Sequence, residues 1–234
     1  MHRMKLPATA LASIVLASGC GGTGGITVPR PTGLAPAAPT DAASWARTTI
    51  PTESREIRFR WQFRDDQGAA GGRGRVRWAM PDSARLDVTG PLGSGRAAAF
   101  VNGDTAAWAE PKEDVKRLIP NYPLFWALLG VVRGPEPGAA VRRYSDDRVT
   151  MWRYARGPDT TDYVRVSGSP GKLFLEVREA GKPIGTVETR LDAAGAPVSA
   201  RLVVPSVPAR LDVSFTSNVK ATSFASDAWT PPRP

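Results

Sequence analysis

Residues 55–64 read Arg-Glu-Ile-Arg-Phe-Arg-Trp-Gln-Phe-Arg. Ile57, Phe59, Trp61 and Phe63 occupy every second position, and Glu56, Arg58, Arg60, Gln62 and Arg64 fill the others. A period of two sends alternate side chains to opposite faces of an extended chain, so the segment predicts a β-strand with one apolar and one charged face. Sheets that keep one face in water are antiparallel. The pattern returns in residues 73–80, where Val76, Trp78 and Met80 oppose Arg73, Arg75 and Arg77, and in residues 84–89, with Leu86 and Val88 inward. Asp65-Asp66-Gln67-Gly68 opens a loose, glycine-rich turn, and Pro81-Asp82-Ser83 turns the chain again.

Gly90-Pro91-Leu92-Gly93-Ser94-Gly95 forms the next turn, and a hairpin follows around Asn102-Gly103-Asp104. Further strands are predicted near residues 141–144, 149–155, 163–167, 173–179, 184–191, 198–204 and 211–216, with turn residues such as Asp146-Asp147 and Pro170-Gly171 between them. A sheet of about 11 strands must curl. The expected fold is mainly β (α+β), a curled antiparallel half-barrel.

The pattern changes once, over residues 112–133. Glu113 opens a short helix that reaches Leu118, and Pro123 stands at the first position of a second. Leu124, Phe125, Trp126, Leu128, Leu129, Val131 and Val132 make that second helix apolar almost all round, up to Gly134 and Pro135. Such a helix is buried or covers something apolar.

The chain begins with the basic His2-Arg3-Met4-Lys5, an apolar run over residues 6–16, and then Leu16-Ala17-Ser18-Gly19-Cys20. This is the layout of a secretory signal over residues 1–19. The last five residues look like a bacterial lipobox, which implies that Cys20 becomes the lipidated N-terminus. The run is short for a membrane span of ~20 residues. Residues 20–43, rich in Gly, Pro, Thr and Ala, predict a disordered tether. Gly21, where an aspartate would signal inner-membrane retention, favours the outer membrane. A short helix over residues 42–49 follows, with Asp41 as N-cap and Trp45 as its packing residue. The folded domain is expected over residues 44–230.

The formal charge is +9, and removal of Arg3 and Lys5 with the signal leaves +7. The single histidine, His2, leaves too, and the single cysteine, Cys20, is the anchor. The mature chain thus has no Ser-His-Asp triad, no Cys-His pair and no His- or Cys-ligated zinc. No Gly-rich phosphate loop is present, and no cofactor or metal is expected. A basic surface attracts phosphate; export argues for anionic lipid over nucleic acid.

Three stretches carry a family resemblance. Gly74-Arg75-Val76-Arg77-Trp78 precedes Ala84-Arg85-Leu86-Asp87-Val88; Gly90-Pro91-Leu92-Gly93 follows; and Ile119-Pro120 leads into Leu124-Phe125-Trp126-Ala127-Leu128-Leu129-Gly130. In this order they resemble the LolA/LolB lipoprotein-carrier superfamily, and LolB, the outer-membrane receptor, more closely than LolA. The resemblance covers most of residues 45–230. It implies a monomeric lipoprotein, anchored on the periplasmic face of the outer membrane, that takes acylated lipoproteins from a LolA-like carrier and inserts them. It also implies a protruding loop, Pro91, Leu92 and Gly93, that meets the membrane. The long tether, the short first helix and the strong basic charge depart from the family pattern.

The expected acyl cavity and lid comprise Phe59, Trp61, Phe63, Val76, Trp78, Leu86 and Val88 on the sheet, with Leu118, Phe125, Trp126, Leu128 and Leu129 above. The same residues would equally make an ordinary core. The row Arg73, Arg75 and Arg77 reads as a solvated face or as a contact for anionic lipid or an acidic carrier. Asp65-Asp66 and Asp146-Asp147 sit at turns, where aspartate serves the backbone. The three function classes are a transport receptor, a lipid- or glycolipid-binding or structural envelope lipoprotein, and a carboxylate-based glycosidase. Lack of a pair of inward carboxylates leaves the non-enzymatic readings ahead.

Overall fold

The computed structural model describes residues 25–231, apart from 94, 114, 116–120 and 207; Leu92 is described by its backbone alone. Residues 1–19, read as a signal, Cys20 and Leu118 lie outside the described residues. The chain builds one sheet of 13 strands, ordered β1-β7-β8-β9-β10-β11-β12-β13-β2-β3-β4-β5-β6. The strands are β1 (Ala35–Pro36), β2 (Arg55–Asp65), β3 (Gly68–Ala79), β4 (Ser83–Thr89), β5 (Arg96–Asn102), β6 (Thr105–Glu110) and β7 (Ala140–Ser145). Then come β8 (Val149–Arg156), β9 (Asp159–Val166), β10 (Gly171–Glu179), β11 (Lys182–Leu191), β12 (Pro197–Val204) and β13 (Ala209–Lys220). Every neighbouring pair is antiparallel, as the alternation predicts. The sheet is open and curled.

Two meanders, β2–β6 and β7–β13, meet where β13 pairs with β2, Leu211 opposite Phe63 and Val213 opposite Trp61. The connection from β6 to β7 therefore runs from one edge of the sheet nearly to the other. It carries α2 (Tyr122–Leu128) across the concave face, and that position accounts for a helix apolar on every side. Helix α1 (Pro39–Arg47) sets Trp45 against Trp152, ring centroids 5.9 Å apart. Its N-cap is Ala38 with Pro39 as the first helical residue, so Asp41 lies in the first turn instead of capping it. Of the short helix expected from Glu113 to Leu118, Glu113 and Val115 are helical and the rest lies outside the described residues.

Two sequence expectations meet a different structure. The glycine-rich stretch after Gln67 is strand, joined to β2 by the tight turn Asp66-Gln67. Glycine serves close approach there: a Cβ on Gly74 would stand 2.2 Å from the Phe59 ring, and one on Gly72 1.9 Å from the Thr89 carbonyl oxygen. The Phe59 ring thus lies across the glycine opposite it.

The stretch read as tether packs from Ile26 onward. Ile26, Val28 and Leu34 lie against Met151, Val164 and Phe174 on the convex face, and Ala35 and Pro36 pair with β7. Arg30 donates to Glu176 at 2.7 Å. Strands β8–β10 are therefore covered on both faces, so the extra strand β1 and the second cluster replace the half-solvated sheet expected here. Runs such as Leu173-Phe174-Leu175, buried without alternation, are its trace in the sequence.

The C-terminal tail also packs. Trp229 lies against Phe100 and Phe224, its carbonyl accepts from Trp108 Nε1 at 2.8 Å, and Arg85 donates to the carbonyls of Ala228 and Thr230.

Candidate functional site

α2 is shorter than the sequence suggests because Gly130 ends it. With φ of 81°, Gly130 takes the left-handed conformation that a helix end requires. Its N–H donates to Ala127 O at 2.9 Å, and the Val131 N–H donates to Trp126 O at 3.0 Å. That double bond pattern is the Schellman stop. Val131 and Val132 are buried in the extended chain beyond it.

Side chains fix α2 at both ends. Thr189, fully buried, donates to Ala127 O at 2.7 Å, and Thr49 Oγ1 accepts from the Val132 N–H at 2.9 Å. Trp126 donates from Nε1 to Gly103 O at 2.7 Å, and the Tyr122 hydroxyl accepts from the Ala106 N–H. Arg133, just beyond, pairs with Asp104 at 3.0 Å and lies over the Trp126 ring. Beneath the helix, Leu124 seats on Gly185, where a Cβ would come within 2.6 Å of Leu124 Cδ1. The helix therefore rests on β10–β12.

Towards β13–β2–β3–β4 a gap is left. It is an apolar cavity of about 40 Å³, walled by Phe59 and Trp61 of β2, Val76 of β3, and Leu86 and Val88 of β4. Phe125, Leu128 and Leu129 close it from the α2 side. These eight are residues that the sequence reading named. Leu211, Val213 and Phe215 of β13 complete the wall and were missed. Their alternation was visible as a strand, but only the β13–β2 pairing puts that strand beside Phe59 and Trp61.

Three named residues stand elsewhere. Trp78 and Trp126 are fully buried and meet edge to face at 5.1 Å, with Phe125 beside Trp126 at 5.0 Å. Phe63 is buried further along β2. These three belong to the packed core and do not line the cavity. Pro91 and Gly93 are exposed and, with Leu92, form a turn of 3₁₀ helix between β4 and β5.

On the other flank of α2 lies a polar cleft of about 620 Å³. Asn121, Arg133, Glu136, Tyr154, Arg156 and Asp159 are among its walls. The Tyr154 hydroxyl and Asn121 Oδ1 are buried without a hydrogen-bond partner. Burial, with the neighbouring Tyr163 hydroxyl, raises the Tyr154 pKa far above the ordinary phenol value, so it is neutral near pH 7.

The turn aspartates serve backbone. Asp65 Oδ1 accepts the N–H groups of Gln67 and Gly68. Asp146 accepts from the Tyr144 hydroxyl at 2.8 Å and from the N–H groups of Arg148 and Val149. Those bonds, the tyrosine's first, hold its pKa below the usual carboxylate value. Buried acids are neutralised by arginine: Asp162 takes a two-pronged bond from Arg153 at 2.7 and 2.6 Å, and Glu176 binds Arg178 and Arg30.

No protein-family model and no curated protein matches this chain. Among solved structures it is similar to a LolA superfamily protein from Nitrosomonas europaea, at 10% identity and a TM-score of 0.39, over 83% of this chain and 98% of that one. It is also similar to a domain assigned to outer membrane lipoprotein sorting from Vibrio parahaemolyticus, at 7% identity and a TM-score of 0.37, over 81% and 94%. A third is a DUF1329 family protein from Desulfovibrio piger, at 5% identity and a TM-score of 0.39, over 82% and 95%. Identities this low transfer no residue's role.

Proposed function

We propose that this chain is a non-enzymatic envelope lipoprotein, anchored through Cys20 on the periplasmic face of the outer membrane, that holds acyl chains between α2 and the concave sheet. In this reading it receives lipoproteins from a LolA-like carrier and releases them into the membrane. The supporting observation is the cavity, whose eleven lining side chains are all apolar or aromatic. Sites for apolar ligands have that character.

In the form described the cavity is small. A volume of about 40 Å³ admits roughly three water-sized probes and no acyl chain. Uptake therefore requires α2 to part from the β13–β2–β3–β4 wall. Thr189 holds it to β11, while Trp126 and Tyr122 tie it to the β5–β6 hairpin, so opening on the wall side must break the bonds to Gly103 and Ala106. Transfer then follows relative affinity for the chain in carrier, receptor and bilayer, with no energy source.

A second reading, a lipid with a hydrophilic or sugar head, is favoured by the polar cleft across α2 and its two unpartnered buried polar atoms. Mass spectrometry of lipids that co-purify with the full chain separates the two. Acylated lipoprotein supports the receptor; phospholipid or glycolipid supports the second reading. A fluorescent fatty acid that fails to bind the protein ends both.

A further inference from the structure

The convex face of β2–β5 carries its arginines in two adjacent rows, and the rows differ. In the first, Arg58 stands opposite Arg75, and Arg75 opposite Asp87. Carboxylates neutralise it: Glu56 pairs with Arg58 and Arg75, and Asp87 pairs with Arg75, Arg77 and Arg85. The second row runs Arg60–Arg73–Thr89–Arg96 straight across four strands. All three of its arginines are exposed, and among the described residues none of their side chains makes an ion pair. Arg64, four residues along β2 on the same face, is exposed as well.

Like charges directly opposite one another on a sheet destabilise it. Arg60 and Arg73 are such a pair. Asp87, diagonal to Arg73 on the same face, is held by Arg75, Arg77 and Arg85, and Asp65 at the β2–β3 turn accepts the turn's N–H groups. Asp212, across from Gln62, is held by Arg201 and Arg210. Among the described residues, folding thus leaves this row positive and without an acidic partner. Its position is equally specific, since Thr89 and Arg96 are the strand ends that flank the exposed turn Pro91–Gly93.

We infer that Arg60, Arg73 and Arg96 form a seat for an anionic bilayer, which sets the rim bearing the Pro91–Gly93 turn against phospholipid phosphates. Charge complementarity selects that occupant: an exposed row of guanidinium groups, each able to take a phosphate oxygen pair, suits a plane of phosphate headgroups. The seat adds a membrane orientation to the carrier reading and does not depend on the cavity.

The test uses the full chain with Cys20→Ser, which cannot take a lipid at that position, and sedimentation with vesicles. Vesicles of phosphatidylcholine alone are compared with mixtures of phosphatidylcholine and phosphatidylglycerol. Binding should favour the anionic mixture and weaken as salt shortens the screening length. At about fivefold per arginine near a membrane surface, Arg60→Gln/Arg73→Gln/Arg96→Gln should lose binding on the order of a hundredfold. Lysine at the three positions should largely restore it. A charge-matched triple on other exposed arginines, Arg142→Gln/Arg148→Gln/Arg190→Gln, should lose far less. If the first triple fails to fold, Arg73→Gln alone should give the fivefold loss. Equal losses from the two triples, or no preference for anionic vesicles, would overturn the seat; the latter is also the result for a surface that meets an acidic protein. Fatty-acid uptake by the same variants stays unchanged if the cavity reading holds, so the two ideas fail separately.

Discussion

Val88 and Gly74 show how little space separates a packed core from a binding site. Val88 lines the cavity near its rim, 8% exposed. Val88→Phe should fill the gap, leaving the melting temperature within a few degrees of wild type while fluorescent fatty-acid uptake falls at least tenfold. Gly74→Ala should act through Phe59. The new methyl group meets three atoms of the ring at 2.2–2.8 Å and pushes it towards the cavity. Overpacking of this kind costs about 1–3 kcal/mol, measurable by denaturant unfolding. Trp126 belongs on the other side of the divide. Truncating it should cost ~3–5 kcal/mol of stability, because the ring is fully buried and donates to Gly103. The sequence could not separate Trp126 from Leu128. Both are apolar residues of one apolar helix, and only the seating of that helix turns one to the core and the other to the gap.

Among the elements, α2 and the segment at residues 26–36 carry the testable behaviour. Thr189→Val removes the bond to Ala127 O with little change in shape. The expected cost is about 1 kcal/mol of stability. If acyl entry requires α2 to part from the sheet, the same change should speed fatty-acid association in stopped-flow measurements; slower association would argue that the helix is no gate. The N-terminal segment is clamped through Glu176. Burial raises its pKa, but the hydrogen bond from Arg178 and the charge of Arg30 outweigh that and bring it below the ordinary glutamate value. A carboxylate with a depressed folded pKa contributes stability above the unfolded value of ~4.3, and this is lost as pH falls through the folded value. Thermal stability should therefore drop on acidification below that range, and Glu176→Gln should flatten the slope.

For the whole molecule, the place where the chain can be shortened follows from which segments cover the sheet. Removing residues 1–40 takes away Ile26, Val28 and Leu34 and uncovers Met151, Val164 and Phe174. A loss of ~2–4 kcal/mol is expected from those partly buried side chains, with aggregation visible by size-exclusion chromatography. A chain beginning at Gly25 should stay monomeric. Strands, turns and the antiparallel arrangement were legible in residues 55–64 and their repeats, because a period of two is a local property that any register preserves. The apolar helix was legible too, and so were eight of the eleven cavity walls, since each lies on a strand or helix with a clear apolar face. Composition misled at residues 26–36, where Pro and Gly mask a few apolar residues whose value depends on a distant convex face. Tertiary structure alone decided the rest. The pairing of β13 with β2 supplied the far wall of the cavity, the seating of α2 on Gly185 set its near wall, and the registers of β2–β5 aligned Arg60, Arg73 and Arg96 without an acid between them. Each depends on residues far apart in the chain meeting at one place, and no pattern within a short window of sequence encodes that meeting.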